Sequence, residues 1–269
     1  VITPMVVLTT DDQWDTLVAT PASVLDEGEQ GQELAEDAPE GGTFDYFEFH
    51  PLLVGTLYAT TTQSDGSTTL YKYDPLQEAL RILQRLEGRT PIVFGRHGDL
   101  YLVNAGQLTR FDTLGDGERL AVLGSFDLKG VMPDAMVYDD LSDEVTLLFA
   151  KSRRLLTISR DLTTMRDQAL PAEVKMTGEV LMANTSLGRS VWVGGSQSPT
   201  FYELSPMTDG SGRWQTRQTI TLPAVQKPTS LQAGESGSLI VVENGVVREF
   251  AHNARTRRWE DAPRSYLAG

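Results

Sequence analysis

The chain has 269 residues, is 40% hydrophobic and 22% charged, contains 24 Gly, 13 Pro and no Cys, and carries a formal charge of -14. This composition excludes a collagen, a disulfide scaffold, a zinc–thiolate site and a cysteine nucleophile. No apolar run approaches the ~20 residues of a bilayer crossing, so no membrane span is expected, while the length suffices for one all-β domain with a full core.

The opening, Val1-Ile2-Thr3-Pro4-Met5, has neither a basic n-region nor an apolar h-region, so no signal peptide is expected. Two origins fit: a cytoplasmic or virion-associated protein lacking only its initiator Met, or a secreted one seen as a processed fragment. Residues 1–50 hold twelve carboxylates and no Lys or Arg, whereas the rest of the chain holds 25 acids against 23 bases. An acidic surface opposes binding driven by phosphate neutralisation, so no nucleic-acid partner is expected. The stretch 26–42 (DEGEQGQELAEDAPEGG) reads as a solvated loop.

A short pattern then recurs: a polar residue, a Leu or Val anchor, and further apolar positions. The anchors Leu17, Leu57, Leu100, Val145, Val191 and Leu239 are separated by 40, 43, 45, 46 and 48 residues. Each unit reads as a short apolar strand, a Gly/Asp/Ser turn, the anchor strand, an alternating third strand and a more polar fourth. First strands include Leu52-Leu53-Val54, Ile92-Val93-Phe94, Ala135-Met136-Val137-Tyr138 and Val180-Leu181-Met182. Anchor strands are nearly all apolar, as strands covered on both faces are. Third strands such as Leu108-Thr109-Arg110-Phe111-Asp112 alternate with period two, one face in the core. Pro75 to Gly88 (PLQEALRILQRLEG) looks helical in isolation, but its place in the repeat makes it a turn and an outer strand.

Four antiparallel strands repeated every 40–50 residues describe propeller blades, which bury their two apolar faces against neighbours. The expected fold is a single six-bladed β-propeller, four antiparallel strands per blade, with approximate blades 1–45, 46–88, 89–130, 131–175, 176–222 and 223–269. A β-sandwich pair and a five-bladed ring with an acidic N-terminal arm are the alternatives.

In the fifth unit, Val191-Trp192-Val193-Gly194-Gly195 closes a strand with a diglycine, Tyr202 follows, and Trp214 comes after a loop. This resembles a Kelch repeat. The sixth unit keeps Phe250 and Trp259 in comparable places, while the second (Tyr73, Leu83) and third (Phe111, Leu120) match more loosely. The resemblance implies a ring that presents loops on two faces and serves mostly to bind proteins. A copper oxidase uses the same ring, but copper needs converging His, Tyr and usually Cys ligands. Here His50, His97 and His252 fall in three different units, so no cofactor and no metal are expected.

Loops from a fourth strand to the next blade share one face with loops between second and third strands. That rule puts Lys129, Lys175 and Lys227 in inter-blade loops, and Lys151 and Arg153 in a second-to-third-strand loop of the same face. Asp11, Asp12, Asp140, Asp143, Glu144, Asp161 and Asp209 map to the opposite face. Cations around a channel mouth would attract an anion or an acidic partner; lysines also simply favour solvated loops. No Gly-x-Ser-x-Gly, His-Glu-x-x-His or phosphate loop is present. Ser64-Asp65-Gly66-Ser67-Thr68 suits a hairpin turn, and the four tryptophans suit inter-blade packing.

The expected function is a non-catalytic binding or scaffold module with a protein partner, acidic on its contacting surface, within a larger assembly such as a virion or secreted complex. The candidate binding residues are Lys129, Lys151, Arg153, Lys175, Lys227, Asn104 and Asn244, with no catalytic residue. The alternative is an enzyme with a channel-mouth site, a metal-dependent lactonase or a glycan-active enzyme, drawing on Asn104, Asn244, Glu48 and Asp134.

Overall fold

In the computed structural model the described residues are 45–76, 79–115, 120–185, 189–234, 237–243, 246–256 and 258–261. They form twenty strands in five four-stranded antiparallel sheets, each a simple meander. The fold is an all-β β-propeller of five blades, and the chain divides into two compact units, 1–132 and 133–269.

The first unit holds two blades. Blade 1 runs β1 (Tyr46–Phe49), β2 (Leu57–Thr62), β3 (Ser67–Asp74) and β4 (Ala79–Glu87), and blade 2 runs β5 (Ile92–Phe94), β6 (Leu100–Asn104), β7 (Gln107–Asp112) and β8 (Ala121–Asp127). The second unit holds three. Blade 3 comprises β9 (Ala135–Asp139), β10 (Glu144–Phe149), β11 (Arg154–Ser159) and β12 (Thr164–Ala169). Blade 4 comprises β13 (Val180–Asn184), β14 (Val191–Gly195), β15 (Thr200–Pro206) and β16 (Trp214–Thr221). Blade 5 comprises β17 (Pro228–Ala233), β18 (Leu239–Glu243), β19 (Val246–Asn253) and β20 (Arg258–Asp261).

The count corrects the expected six blades. The sixth is residues 1–45, of which 1–44 lie outside the described residues. Its place in the arithmetic rested on the single anchor Leu17. A second correction concerns Leu52-Leu53-Val54. This run is not a first strand but the turn after β1. The segment 79–87 is the outer strand β4 and not a helix.

Among the described residues the hydrophobic clusters are shared between consecutive blades. Tyr58, Leu70 and Leu86 of blade 1 meet Ile92, Phe94, Leu100, Leu102 and Phe111 of blade 2. In blade 4 the alternation of β14 divides its side chains between two clusters: Val191 and Val193 pack with blade 3, and Trp192 packs with blade 5. A second strand that serves two neighbours has no polar face, which is why anchor strands read as apolar throughout. The polar residue that precedes each anchor (Thr56, Asp99, Glu144, Ser190, Ser238) is buried in all five blades. Such groups require partners. Asp99 pairs with Arg110 at 3.0 Å, Glu144 with Arg166, and the Ser238 hydroxyl donates to Glu249 at 2.5 Å.

Candidate functional site

The most distinctive surface of the first unit grows from the ends of its strands. At the end of β1, His50 is buried, and its Nδ1 accepts the backbone N–H groups of Leu52 (3.1 Å) and Leu53 (2.9 Å). A nitrogen that accepts two N–H groups carries no proton, so the proton sits on Nε2, which donates to Thr113 Oγ1 at 2.7 Å. That hydroxyl donates in turn to the Gly98 carbonyl. The ring packs against Phe94 (centroids 4.9 Å apart) and Tyr58 (6.3 Å). Burial first, and the nearby Lys72 ammonium second, push the imidazole down to about 4. Burial likewise pushes the Tyr58 phenol up to about 12.

The same turn recurs with aspartate. Asp74 accepts the N–H of Leu76, Asp112 that of Leu114 and Asp139 that of Leu141, each at 2.9 Å. A side-chain acceptor that bonds the N–H two residues on locks the turn. In all four cases the locked residue is a leucine held out into solvent: Leu52 is 52% exposed, Leu76 94%, Leu114 49% and Leu141 69%. Val54, on the same turn as Leu52, is 96% exposed.

Within the first unit these turns touch. Gly55 packs against the Pro75 ring, where an added Cβ would sit 3.1 Å from Pro75 Cγ, and Gly98 packs against the His50 ring and Leu52. The His50–Thr113 bond joins the turn after β1 to the turn after β7. Leu52, Val54, Leu76 and Leu114 therefore belong to one face, and a clustered apolar surface on rigid turns is the usual mark of an interaction site. The sequence carried a signal for it, the recurrence of His-Pro-Leu, Asp-Pro-Leu, Asp-Thr-Leu and Asp-Asp-Leu at strand ends.

The residues singled out from the sequence are more dispersed. Lys129 is exposed in the loop after β8, its backbone N–H bonded to Asp127 at 2.6 Å. Asn104, at the end of β6, uses its Oδ1 to accept the Glu87 N–H at 2.9 Å and so ties blade 2 to blade 1. In the second unit Lys151, Lys175 and Lys227 are exposed in loops at one end of the sheets. Arg153 shares that end but spends its guanidinium on the carbonyls of Val174 (2.9 Å) and Pro171 (2.8 Å), clamping the following loop. Four carboxylates occupy the same end: Asp134, Glu173, Glu179 and Glu243. Asp134 accepts the Ala150 N–H at 2.7 Å, and Glu243 accepts those of Gln226 and Lys227. Cations and anions thus alternate there. Asn244 lies outside the described residues.

Glu48, on β1, pairs across the sheet with Tyr58, and removal of its carboxyl from bulk water pushes it up to about 7. A folded-state pKa above the ordinary 4.5 means that the native protein holds a proton the unfolded chain releases between pH 4.5 and 7. Stability from this group is then greatest below pH 4.5 and declines as pH rises to 7. Glu48→Gln is expected to raise the thermal midpoint above pH 7 and to leave it unchanged below pH 4.5, as melts across that range will show.

No family model matches the sequence, and no curated protein matches it either. Solved structures do match in fold. A protein from Lactobacillus plantarum shares 12% identity at a TM-score of 0.59, over 84% of this chain and 72% of that one. The Cps50 (Swd1) β-propeller domain of Myceliophteria thermophila shares 14% at 0.54, over 77% and 69%. A catalytically inactive virginiamycin B lyase from Staphylococcus aureus shares 13% at 0.51, over 77% and 70%. None of the three is named for a Kelch repeat. These likenesses and the strand topology together make the chain a β-propeller.

Proposed function

We propose that this chain is a non-catalytic β-propeller module that binds another protein, as a subunit of a larger assembly, through the leucine-bearing turns of blades 1 and 2. Fold likeness reaches a lyase as well as the Cps50 domain and does not choose between activities. The observation that carries the reading is the joined set of Leu52, Val54, Leu76 and Leu114, exposed on turns that their own hydrogen bonds hold rigid. Burying such side chains yields about 25 cal/mol per Å² of apolar surface, with little ordering cost on preformed turns. The Kelch-like character of blade 4, with its diglycine, Tyr202 and Trp214, agrees with a binding role. A second reading places an acidic partner on the lysine-bearing loops of the second unit, where Lys151, Lys175 and Lys227 are all exposed.

Quantitative cross-linking in the native source distinguishes the two. The double variant Val54→Ser/Leu76→Ser, at positions too exposed to disturb folding, is expected to lose the partner that the wild type captures. Lys151→Glu/Lys175→Glu is expected to keep it. The reverse pattern would move the interface to the lysine loops, and full retention by both variants would end the binding reading for either surface.

A further inference from the structure

Blade 4 departs from its neighbours at one rung. The pairing of third and fourth strands carries a bulge at the same place in blades 2, 3 and 4, and the inserted residue is Leu123, Met165 and Arg217 respectively. A bulge residue is left out of the ladder and its side chain is re-aimed. In blades 2 and 3 that side chain is an exposed hydrophobe. In blade 4 it is a guanidinium that turns onto Glu203, the residue paired with Trp192 on one side and Gln218 on the other.

Glu203 is 4% exposed, and it accepts Arg217 Nη1 at 3.1 Å and Gln218 Nε2 at 2.8 Å. Two of its roughly four acceptor positions remain unused, as do most of the five N–H groups of Arg217. The Arg217 side chain stays 53% exposed. Opposite this rung the described residues of blade 5 that line the space are Ala233 and Gly237, and a cleft of about 220 Å³ is left open between the two blades. One wall is Trp192, held by the edge-on ring of Trp259 with centroids 5.7 Å apart. Thr185 and Gln218 also line the cleft.

Among the described residues the cleft therefore presents one carboxylate, one guanidinium and an apolar wall. A ligand with a net charge would satisfy one pole and be repelled by the other. A molecule bearing both a carboxylate and an ammonium satisfies both, the carboxylate on the outward N–H groups of Arg217 and the ammonium on the free lone pairs of Glu203. The volume lies below the ~300 Å³ at which drug-sized pockets begin, which suits a single residue. We propose that the cleft between blades 4 and 5 binds a free α-amino acid. This site does not depend on the protein-binding reading of blades 1 and 2.

The test uses the full chain, thermal melts and calorimetry with the common L-amino acids, leucine first. At least one is expected to raise Tm by about 5 °C when present at about a hundred times its Kd. For leucine, isoamylamine lacks the carboxylate and isocaproate lacks the ammonium, and neither is expected to shift Tm; the corresponding analogues serve for any other amino acid that binds. Arg217→Leu installs the residue that blade 2 carries at this rung, and Glu203→Gln keeps the shape of the side chain. Each is expected to weaken binding at least about tenfold, the loss of one charged hydrogen bond. The proposal is overturned if no amino acid binds, if the single-charge analogues bind as well as the parent, or if both variants bind as the wild type does. The analogue comparison is made on wild-type protein, so it decides the matter even if a variant fails to fold.

Discussion

Replacement of His50 by alanine is expected to destabilise the first unit by about 3 kcal/mol. It leaves two backbone N–H groups without their acceptor, removes the bond that Thr113 accepts and opens a cavity beside Phe94 and Tyr58. His50→Asn is expected to cost less, because an Asn Oδ1 can lock the turn as Asp74 and Asp112 do. The pH dependence separates the role of the imidazole from simple packing. The folded-state value of about 4 lies below the ordinary 6.5, so between those values the unfolded chain binds the extra proton. Stability from His50 is complete above pH 6.5, falls as pH drops, and is lost by about pH 4. Glu48 works in the opposite direction over much of that range, so the wild-type profile alone conceals the effect. The stability gap between wild type and His50→Asn is expected to widen by about 3 kcal/mol from pH 4 to pH 6.5. A gap that stays constant in denaturant titrations across this range would show that Nδ1 does not hold the turn in its neutral form.

Gly195→Ala is expected to cost about 3 kcal/mol or more, although its φ is not in the left-handed region. An added Cβ would sit 2.5 Å from the Thr177 backbone nitrogen and press on the Thr177 carbonyl as well. That backbone cannot yield, because Gln197 donates to the Thr177 carbonyl at 3.0 Å and the Thr177 hydroxyl donates back to Gln197 at 3.1 Å. Gly66→Ala is the counterpart: its φ is +84° but nothing lies within 4 Å, so only conformational strain of about 1 kcal/mol is expected. Urea midpoints of the two variants measure the difference. Equal, small losses would mean that the 177 loop does not close on blade 4 as described.

The diglycine of blade 4 acquires its physical cause only from packing. Gly194 faces Phe201, whose Cδ1 would lie 2.5 Å from an added Cβ. The corresponding cross-strand pairs elsewhere are Val103 with Leu108, Leu148 with Leu155 and Val242 with Val247. The bulk of Phe201 is matched by the missing side chain of Gly194, where these other blades pair two branched aliphatic side chains. Its diglycine follows from this local exchange of volume, which the other blades do not make.

Strand periodicity, the four-strand unit and the anchors Leu57, Leu100, Val145, Val191 and Leu239 were legible in the linear sequence, because alternation and burial on both faces are written into neighbouring residues. Tertiary structure alone decided the number of blades, the exposure of Leu52 and Val54, and the meeting of Arg217 with Glu203. An apolar triplet reads the same in a core strand and on a rigid turn, since the difference lies in what a distant segment places against it. The charges of blade 4 meet through a bulge that shifts register by one residue, and only the paired strands reveal such a shift.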